Sequence, residues 1–113
     1  MGENKDYMTH PDQLGSIHIS EEVLATIAGG AASEVEGVSG LMSLTAKKTN
    51  AKGVRILVEE DGAVIDLYVM VRYGYAIPEV AEKVQCSVTC AVEAMTGFTV
   101  KAVNIHVGGV SLQ

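Results

Sequence analysis

Cys86 and Cys90 are the side chains of this chain with the greatest potential for nucleophilic or metal chemistry. Their spacing is not that of a Cys-x-x-Cys motif, and no second cysteine pair is present to complete a zinc site. On a helix with about 100° per residue, both thiols lie opposite the apolar stripe, among Glu79, Glu82 and Glu93. Because carboxylates disfavour the thiolate, which is the nucleophilic form, we expect exposed reduced thiols and no catalytic residue. Oxidation, intermolecular disulfides and soft-metal binding are the alternatives.

The histidines offer a second candidate site. His18 and His106 both face away from the predicted core, on the first and last strands that we predict for the domain. If those strands were neighbours, the two imidazoles would meet and hold a metal ion, although no third ligand accompanies them. We therefore expect surface histidines, with neither a metal site nor a cofactor.

Glycine spacing gives one motif that is associated with nucleic acids. Gly37-Val38-Ser39-Gly40 matches the Gly-x-x-Gly loop with which KH domains clamp a nucleic-acid backbone. No Lys or Arg adjoins it, and the formal net charge of −6 disfavours a polyanionic partner. A helix cap followed by a turn is the simpler interpretation. Gly108-Gly109 precedes no helix, so it predicts no phosphate-binding loop.

A β-hairpin with an unusual outer face is predicted for residues 54–72, which alternate around the turn signal Glu60-Asp61-Gly62. One face is apolar throughout, as a core face should be. The other face places bulky apolar residues among charged ones, and the residues that we assign to protein contact there are Leu57, Tyr68, Met70 and Arg72. Aromatic, Met and Arg side chains are enriched at protein interfaces. Stabilisation of the hairpin by cross-strand pairs is the alternative.

Two amphipathic helices and further strands must support this hairpin. Apolar residues at helical spacing predict helices over residues 21–36 and 77–96, and alternation predicts strands at 15–19, 41–44 and 100–107. The order is then β-α-β-β-β-α-β. Because each helix has one apolar stripe and the strands alternate, we predict an α+β two-layer sandwich, a mostly antiparallel sheet with two helices on one face.

Length and composition indicate one globular domain. The chain has 113 residues, of which 48% are hydrophobic and 19% charged. We assign residues 14–113 to the domain and residues 1–13 to a disordered N-terminal tail. No apolar run approaches the ~20 residues that a membrane span needs, and residues 1–13 lack the apolar core of a signal peptide. These observations predict a cytoplasmic protein without direct membrane insertion.

Short stretches across most of the chain match one family pattern. They include Gly15-Ser16-Ile17-His18-Ile19-Ser20, Asp66-Leu67-Tyr68-Val69, Ile77-Pro78-Glu79-Val80-Ala81, Ala91-Val92-Glu93-Ala94-Met95-Thr96-Gly97 and Val103-Asn104-Ile105-His106-Val107. Over residues 14–110 the chain resembles the alkaline shock protein family of Gram-positive bacteria, also called the envelope stress response proteins.

This resemblance implies a small non-enzymatic protein with no catalytic residues to carry over. Some relatives lie beneath the membrane through a membrane-anchored partner, self-associate and influence cell-envelope homeostasis, and others are connected with control of lipid synthesis. We therefore expect a structural or adaptor protein that forms homo-oligomers and docks to a membrane-anchored partner at the inner face of the membrane. A KH-like nucleic-acid-binding module, a regulator of lipid synthesis and a small-molecule or metal sensor are the alternatives.

Overall fold

The structure, a computed structural model, describes residues 7–12, 15–42 and 53–112. Two helices and a mostly antiparallel main sheet confirm the predicted α+β class. The elements in chain order are β1 (Tyr7–Asp12), β2 (Gly15–Ser20), α1 (Glu21–Ser33), β3 (Val38–Leu41), β4 (Val54–Glu59), β5 (Gly62–Arg72), α2 (Ile77–Thr96) and β6 (Val100–Ser111).

Strand β5 is the centre of the main sheet. Its first half pairs antiparallel with β4, and its second half pairs antiparallel with β3. Strands β3 and β4 share one edge of β5. The N–H of Tyr68 donates to the carbonyl of Gly53, and the carbonyl of Tyr68 accepts from the N–H of Met42. Because the N–H and C=O of one strand residue point to the same edge, both partners lie on that edge. The other edge pairs with β6, which runs parallel to β5. The hairpin between β4 and β5 turns at Glu60-Asp61, as predicted, with Glu59 opposite Gly62.

Strand β2 pairs with β1 in a separate two-stranded sheet. The predicted disordered tail is therefore wrong for Tyr7–Asp12, while residues 1–6 and 13 lie outside the described residues. The sequence of Tyr7–Asp12 shows no alternation of apolar and polar residues and contains Pro11, so it does not predict the strand that pairs with β2.

Helix α1 begins at Glu21, as predicted, but ends early. The Ser20 hydroxyl accepts a hydrogen bond from the backbone of Val23 at 3.2 Å, and acidic residues occupy the first turn. The last helical residue is Ser33 and not Glu36, and Gly37, with φ +102°, lies in the turn that follows. The third strand is likewise Val38–Leu41, three residues before the predicted 41–44, of which 43 and 44 lie outside the described residues.

Helix α2 matches its predicted bounds, with Pro in the first turn and Gly97 as a left-handed cap at φ +78°. The apolar spacing along this helix predicts a stripe from Ile77 to Met95 that includes both residues, but the buried face is shifted from that stripe, since Ile77 is 41% exposed and Met95 69% exposed. The buried residues follow one i, i+4 row that packs on β6 and α1, namely Val80, Val84, Val88, Val92 and Thr96. Neither helix of the described ranges has the length and apolarity that crossing a membrane requires.

The core lies between the two helices and one face of the main sheet. On β5 the residues that point to the helices, among them Ile65, Leu67 and Val69, have no exposed surface. The alternate residues, among them Asp66, Tyr68 and Met70, are half-buried. The face that carries this second set has no helix over it among the described residues, and it is the candidate site.

Candidate functional site

We call the side of the main sheet opposite the helices the open face. It includes outward residues of β4, β5 and β6, from the row of Leu57 to the row of Arg72, together with the residue after β3. These residues are Met42, Arg55, Leu57, Val64, Asp66, Tyr68, Met70, Arg72, Asn104 and His106. All of them are exposed or half-buried, in contrast to the alternating core positions.

Strand register arranges the open face in rows across the sheet. Leu57 lies opposite Val64, whereas Tyr68 lies opposite His106 and Met70 opposite Gly109. At about 3.3 Å per residue, the row of Leu57 is about 13 Å from the row of Tyr68. The structure therefore does not bring Leu57 together with Tyr68 and Met70 into the one apolar patch that the sequence suggested.

A polar row separates these two parts of the face. Arg55 and Asn104 lie on either side of Asp66 in the strand register. The amide of Asn104 donates to Oδ1 of Asp66 at 3.0 Å, and Nε2 of His106 lies 3.4 Å from the same oxygen. The side chain of Asp66 is 19% exposed, so two neighbours on β6 hold a shielded carboxylate.

The next row is a stacked ring pair. The rings of Tyr68 and His106 lie 4.4 Å apart between centroids with an interplanar angle of 11°. The parallel register makes them directly opposite residues on β5 and β6. The ring of His106 therefore packs on Tyr68 through its face and contacts Asp66 through Nε2. These two contacts hold both rings in position.

Two methionine sulfurs complete this end of the open face. Register with β5 shifts between Val107 and Gly109, so Gly108 is an extra residue in β6. The Sδ of Met42 lies where a β-carbon on Gly108 would be, and the Sδ of Met70 would lie 3.0 Å from a β-carbon on Gly109. Sequence reasoning missed Met42, although a glycine pair inside a strand pattern is itself a signal of a bulge or a close approach.

Arg72 ends the open face, exposed and opposite Ser111 at the last pair of the β5–β6 ladder. Of the four predicted contact residues, Tyr68, Met70 and Arg72 thus follow one another along β5. Leu57 stands apart with 52% of its surface exposed.

His18 and His106 are both exposed, and the histidine pair that was the alternative to surface histidines does not form. His18 lies on β2, which pairs with β1, whereas His106 lies on β6, which pairs with β5. The two strands are not neighbours, because β2 and β6 belong to different sheets. The described ranges contain no group of three or more His, Cys, Asp or Glu residues that would hold a metal ion.

The other two candidate motifs lie away from the open face. Cys86 and Cys90 are exposed free thiols on α2, in the helical layer. The Gly-x-x-Gly segment spans the turn after α1 and the start of β3. A β-carbon on Gly37 would meet Val80 at 2.7 Å and Tyr75 at 3.0 Å, so the glycine backbone there is covered by side chains.

Two shifted pKa values mark contacts outside the open face. The Tyr75 hydroxyl donates to the carboxylate of Glu36 at 3.1 Å, and this hydrogen bond, with the negative charge of Glu36, raises the pKa of Tyr75. The Nζ of Lys101 lies 2.7 Å from Oε1 of Glu59 and 3.3 Å from Oδ1 of Asp61. Hydrogen bonds to these carboxylates raise the pKa of Lys101 and tie the start of β6 to the hairpin.

The match of this chain to a protein-family model identifies the class of protein to which it belongs. The sequence model of the alkaline shock protein 23 family, described as having a "cell envelope-related function", matches residues 9–112. The chain belongs to this family, which confirms the resemblance seen in the sequence. Its family has a cell-envelope-related function.

Individual relatives agree with this assignment. The chain is 38% identical to the uncharacterized protein YqhY of Bacillus subtilis, over 91% of this chain and 83% of the relative. It is 40% identical to the uncharacterized protein Spy1535 of Streptococcus pyogenes, over 88% of this chain and 81% of the relative. A solved structure of a MamM CTD variant superposes with a TM-score of 0.52, covering 78% of this chain and 93% of that chain. At 17% identity, this last likeness shows the fold alone.

Proposed function

We propose that this protein is a non-enzymatic structural or adaptor protein of cell-envelope homeostasis and stress response. In this proposal it self-associates through the part of the open face formed by Tyr68, Met70 and Arg72, and it docks to a membrane-anchored partner. The observation that carries the proposal is that Tyr68 and Met70 are large side chains held in place on a sheet face that no helix of the described ranges covers.

Tyr68 and Met70 are held in one conformation before any partner binds, which supports a binding role. Association costs roughly 0.5–1.5 kcal/mol for each flexible side chain that an interface immobilises. Tyr68 is already stacked on His106, and the thioether of Met70 already packs on Gly109. Much of that cost is therefore met in the free protein, as is typical of the rigid anchors at which binding energy concentrates.

The charges of the open face support a second copy of the chain as the occupant. A two-fold interface brings one surface against itself, so it needs both signs of charge on the same patch. Arg55 and Arg72 provide positive charge on the open face, and Asp66 provides negative charge. The whole chain carries a formal charge of −6, so two copies repel at long range and salt should strengthen their association.

The envelope part of the proposal rests on the family description. The membrane-anchored partner rests on what the resemblance to the alkaline shock proteins implies. Both therefore concern where the protein acts, whereas the open face concerns how it binds.

Light scattering after size exclusion, in reductant and across protein and salt concentrations, tests self-association. The parent should rise reversibly above the 11.9 kDa monomer, and combining Tyr68→Asp with Met70→Asp should abolish that rise without unfolding the chain. Met95→Asp is the matched control, because it makes the same chemical change at a 69% exposed site on α2, and it should associate like the parent. A second double variant, Tyr68→Ser with Met70→Ser, removes the same side chains without adding charge. It shows whether the double Asp variant loses association through the lost contacts or through the added negative charge.

An unchanged oligomer size in the double Asp variant would show that another surface mediates association. A parent that stays monomeric at every concentration would contradict self-association altogether. In that case cross-linking in membrane fractions, compared between the parent and the double Asp variant, becomes the test of docking.

A further inference from the structure

We propose that Met42, Met70 and His106 form a binding site for a soft monovalent metal ion, Cu(I) being the natural example. The proposal needs no protein partner and stands whether or not the chain self-associates. It rests on three side chains that the β5–β6 pairing brings to one end of the open face.

The two thioethers meet at one structural feature. Gly108 and Gly109 form the bulged part of β6 opposite Met70. The Sδ of Met42 occupies the place of the first missing β-carbon, and the Sδ of Met70 lies beside the place of the second. Successive α-carbons are about 3.8 Å apart, so both sulfurs lie over adjacent residues of the same bulge. Because both sulfurs already lie at this bulge, small rotations about the terminal bonds of the two methionine side chains bring them onto one ion.

The imidazole supplies a third donor with the correct orientation. Nε2 of His106 faces Oδ1 of Asp66 at 3.4 Å. When Nε2 carries the proton that this contact favours, Nδ1 keeps its lone pair, which is the usual arrangement of a metal-binding histidine supported by a carboxylate. On a five-membered ring Nδ1 points largely away from Nε2. Asp66 lies before Tyr68 on β5 and the glycine bulge lies after it, so Nδ1 is directed towards the end of the face that holds the sulfurs.

The donor set selects the class of metal. Thioether sulfur is a soft ligand that favours Cu(I), and imidazole also binds copper, whereas Mg²⁺ and Ca²⁺ require oxygen ligands. Both methionines are half-buried on a face that no helix of the described ranges covers, which leaves an entry path and removes part of the competing water. The described residues lack clusters of His, Cys, Asp and Glu, but a site with two thioether ligands needs no such cluster.

Silver(I) is a suitable probe because it has the same ligand preference and does not change oxidation state. The full chain is used with Cys86→Ser and Cys90→Ser, since exposed thiols would bind silver first and both lie on α2 away from the site. Silver nitrate is titrated in chloride-free buffer, and NMR follows isotope-labelled methionine methyl groups. The methyl groups of Met42 and Met70 should shift together and saturate at one equivalent, and the 69% exposed Met95 should shift only in excess.

Variants separate a site from general thioether affinity. Met70→Leu should weaken silver binding by at least about tenfold, since metal sites lose that much from outer contacts alone, and Met95→Leu should leave it unchanged. Gly108→Ala places a methyl group where the sulfur of Met42 lies, so it should weaken binding without removing a donor. Equal shifts of Met95 and Met70 during the titration, or parental affinity in Met70→Leu, would overturn the proposal.

Discussion

Adjacent glycines in α1 allow a sharp test of how the helical layer meets the sheet. A β-carbon on Gly29 would lie 3.2 Å from Cδ1 of Leu41 and 3.5 Å from Cγ2 of Val54, whereas a β-carbon on Gly30 would meet nothing within 4 Å. Gly29 therefore permits close packing of α1 on β3 and β4. Gly30 is exposed on the same helix and serves as its matched control.

The expected magnitudes follow from two opposing terms. Replacing a helical glycine by alanine adds about 1 kcal/mol of stability through helix propensity. Gly30→Ala should show this whole gain and raise the melting temperature by about 4 °C. Gly29→Ala has the same gain but overpacks the contact with Leu41, at a cost of roughly 1–3 kcal/mol. Its free energy of unfolding should therefore be unchanged or lower than that of the parent by up to about 2 kcal/mol.

Urea unfolding followed by circular dichroism measures both variants. Equal and low protein concentrations are needed, because association adds to apparent stability. If Gly29→Ala is stabilised as much as Gly30→Ala, the close approach of α1 to Leu41 and Val54 is wrong. If Gly30→Ala brings no gain, the helix at that position is not regular.

Two further predictions concern the core and a surface contact. Leu24→Ala removes a side chain with no exposed surface and should lower the free energy of unfolding by about 2–5 kcal/mol. Its control is Val23→Ala, at a neighbouring side chain that is 47% exposed, which should change the free energy of unfolding by about 0.5 kcal/mol or less. Equal losses for the two variants in urea unfolding would contradict the assigned helix face. Glu36→Gln should lower the pKa of Tyr75 towards its ordinary value of about 10, as measured by the ultraviolet absorbance of the phenolate. Because the pKa of Tyr75 is raised in the folded protein, the contribution of this contact to stability is present below about pH 10 and is lost as the pH rises through the folded-state pKa. Above about pH 10 the parent should therefore lose more stability than Tyr75→Phe does.

Local chemistry accounts for the parts of the fold that the sequence predicts well. The turn at Asp61, the start of α1 after Ser20 and the end of α2 before Gly97 each depend on one or two neighbouring residues. Alternation along β5 likewise assigns every residue from Ile65 to Arg72 to its correct face. These features need no knowledge of what the segment packs against.

Features that depend on pairing between distant segments were not predictable in the same way. Alternation in β6 gives its two faces but not its parallel direction, nor its place beside β5. Without that register, His106 cannot be placed on Tyr68, and the glycine bulge cannot be placed under Met42. The same reason explains Leu57, for which the sequence identifies the correct face but not the row.

The two faces of β5 make different contacts, and this difference separates the residues that stabilise the fold from those of the open face. Its helix-facing residues, such as Leu67 and Val69, are fully buried and hold the two layers together. Its outward residues, such as Tyr68 and Met70, contact neighbours on their own face, which β6 brings beside them. Substitution of the outward set therefore leaves the core contacts intact, and a loss of association or of metal binding in such variants reports on the open face and not on unfolding.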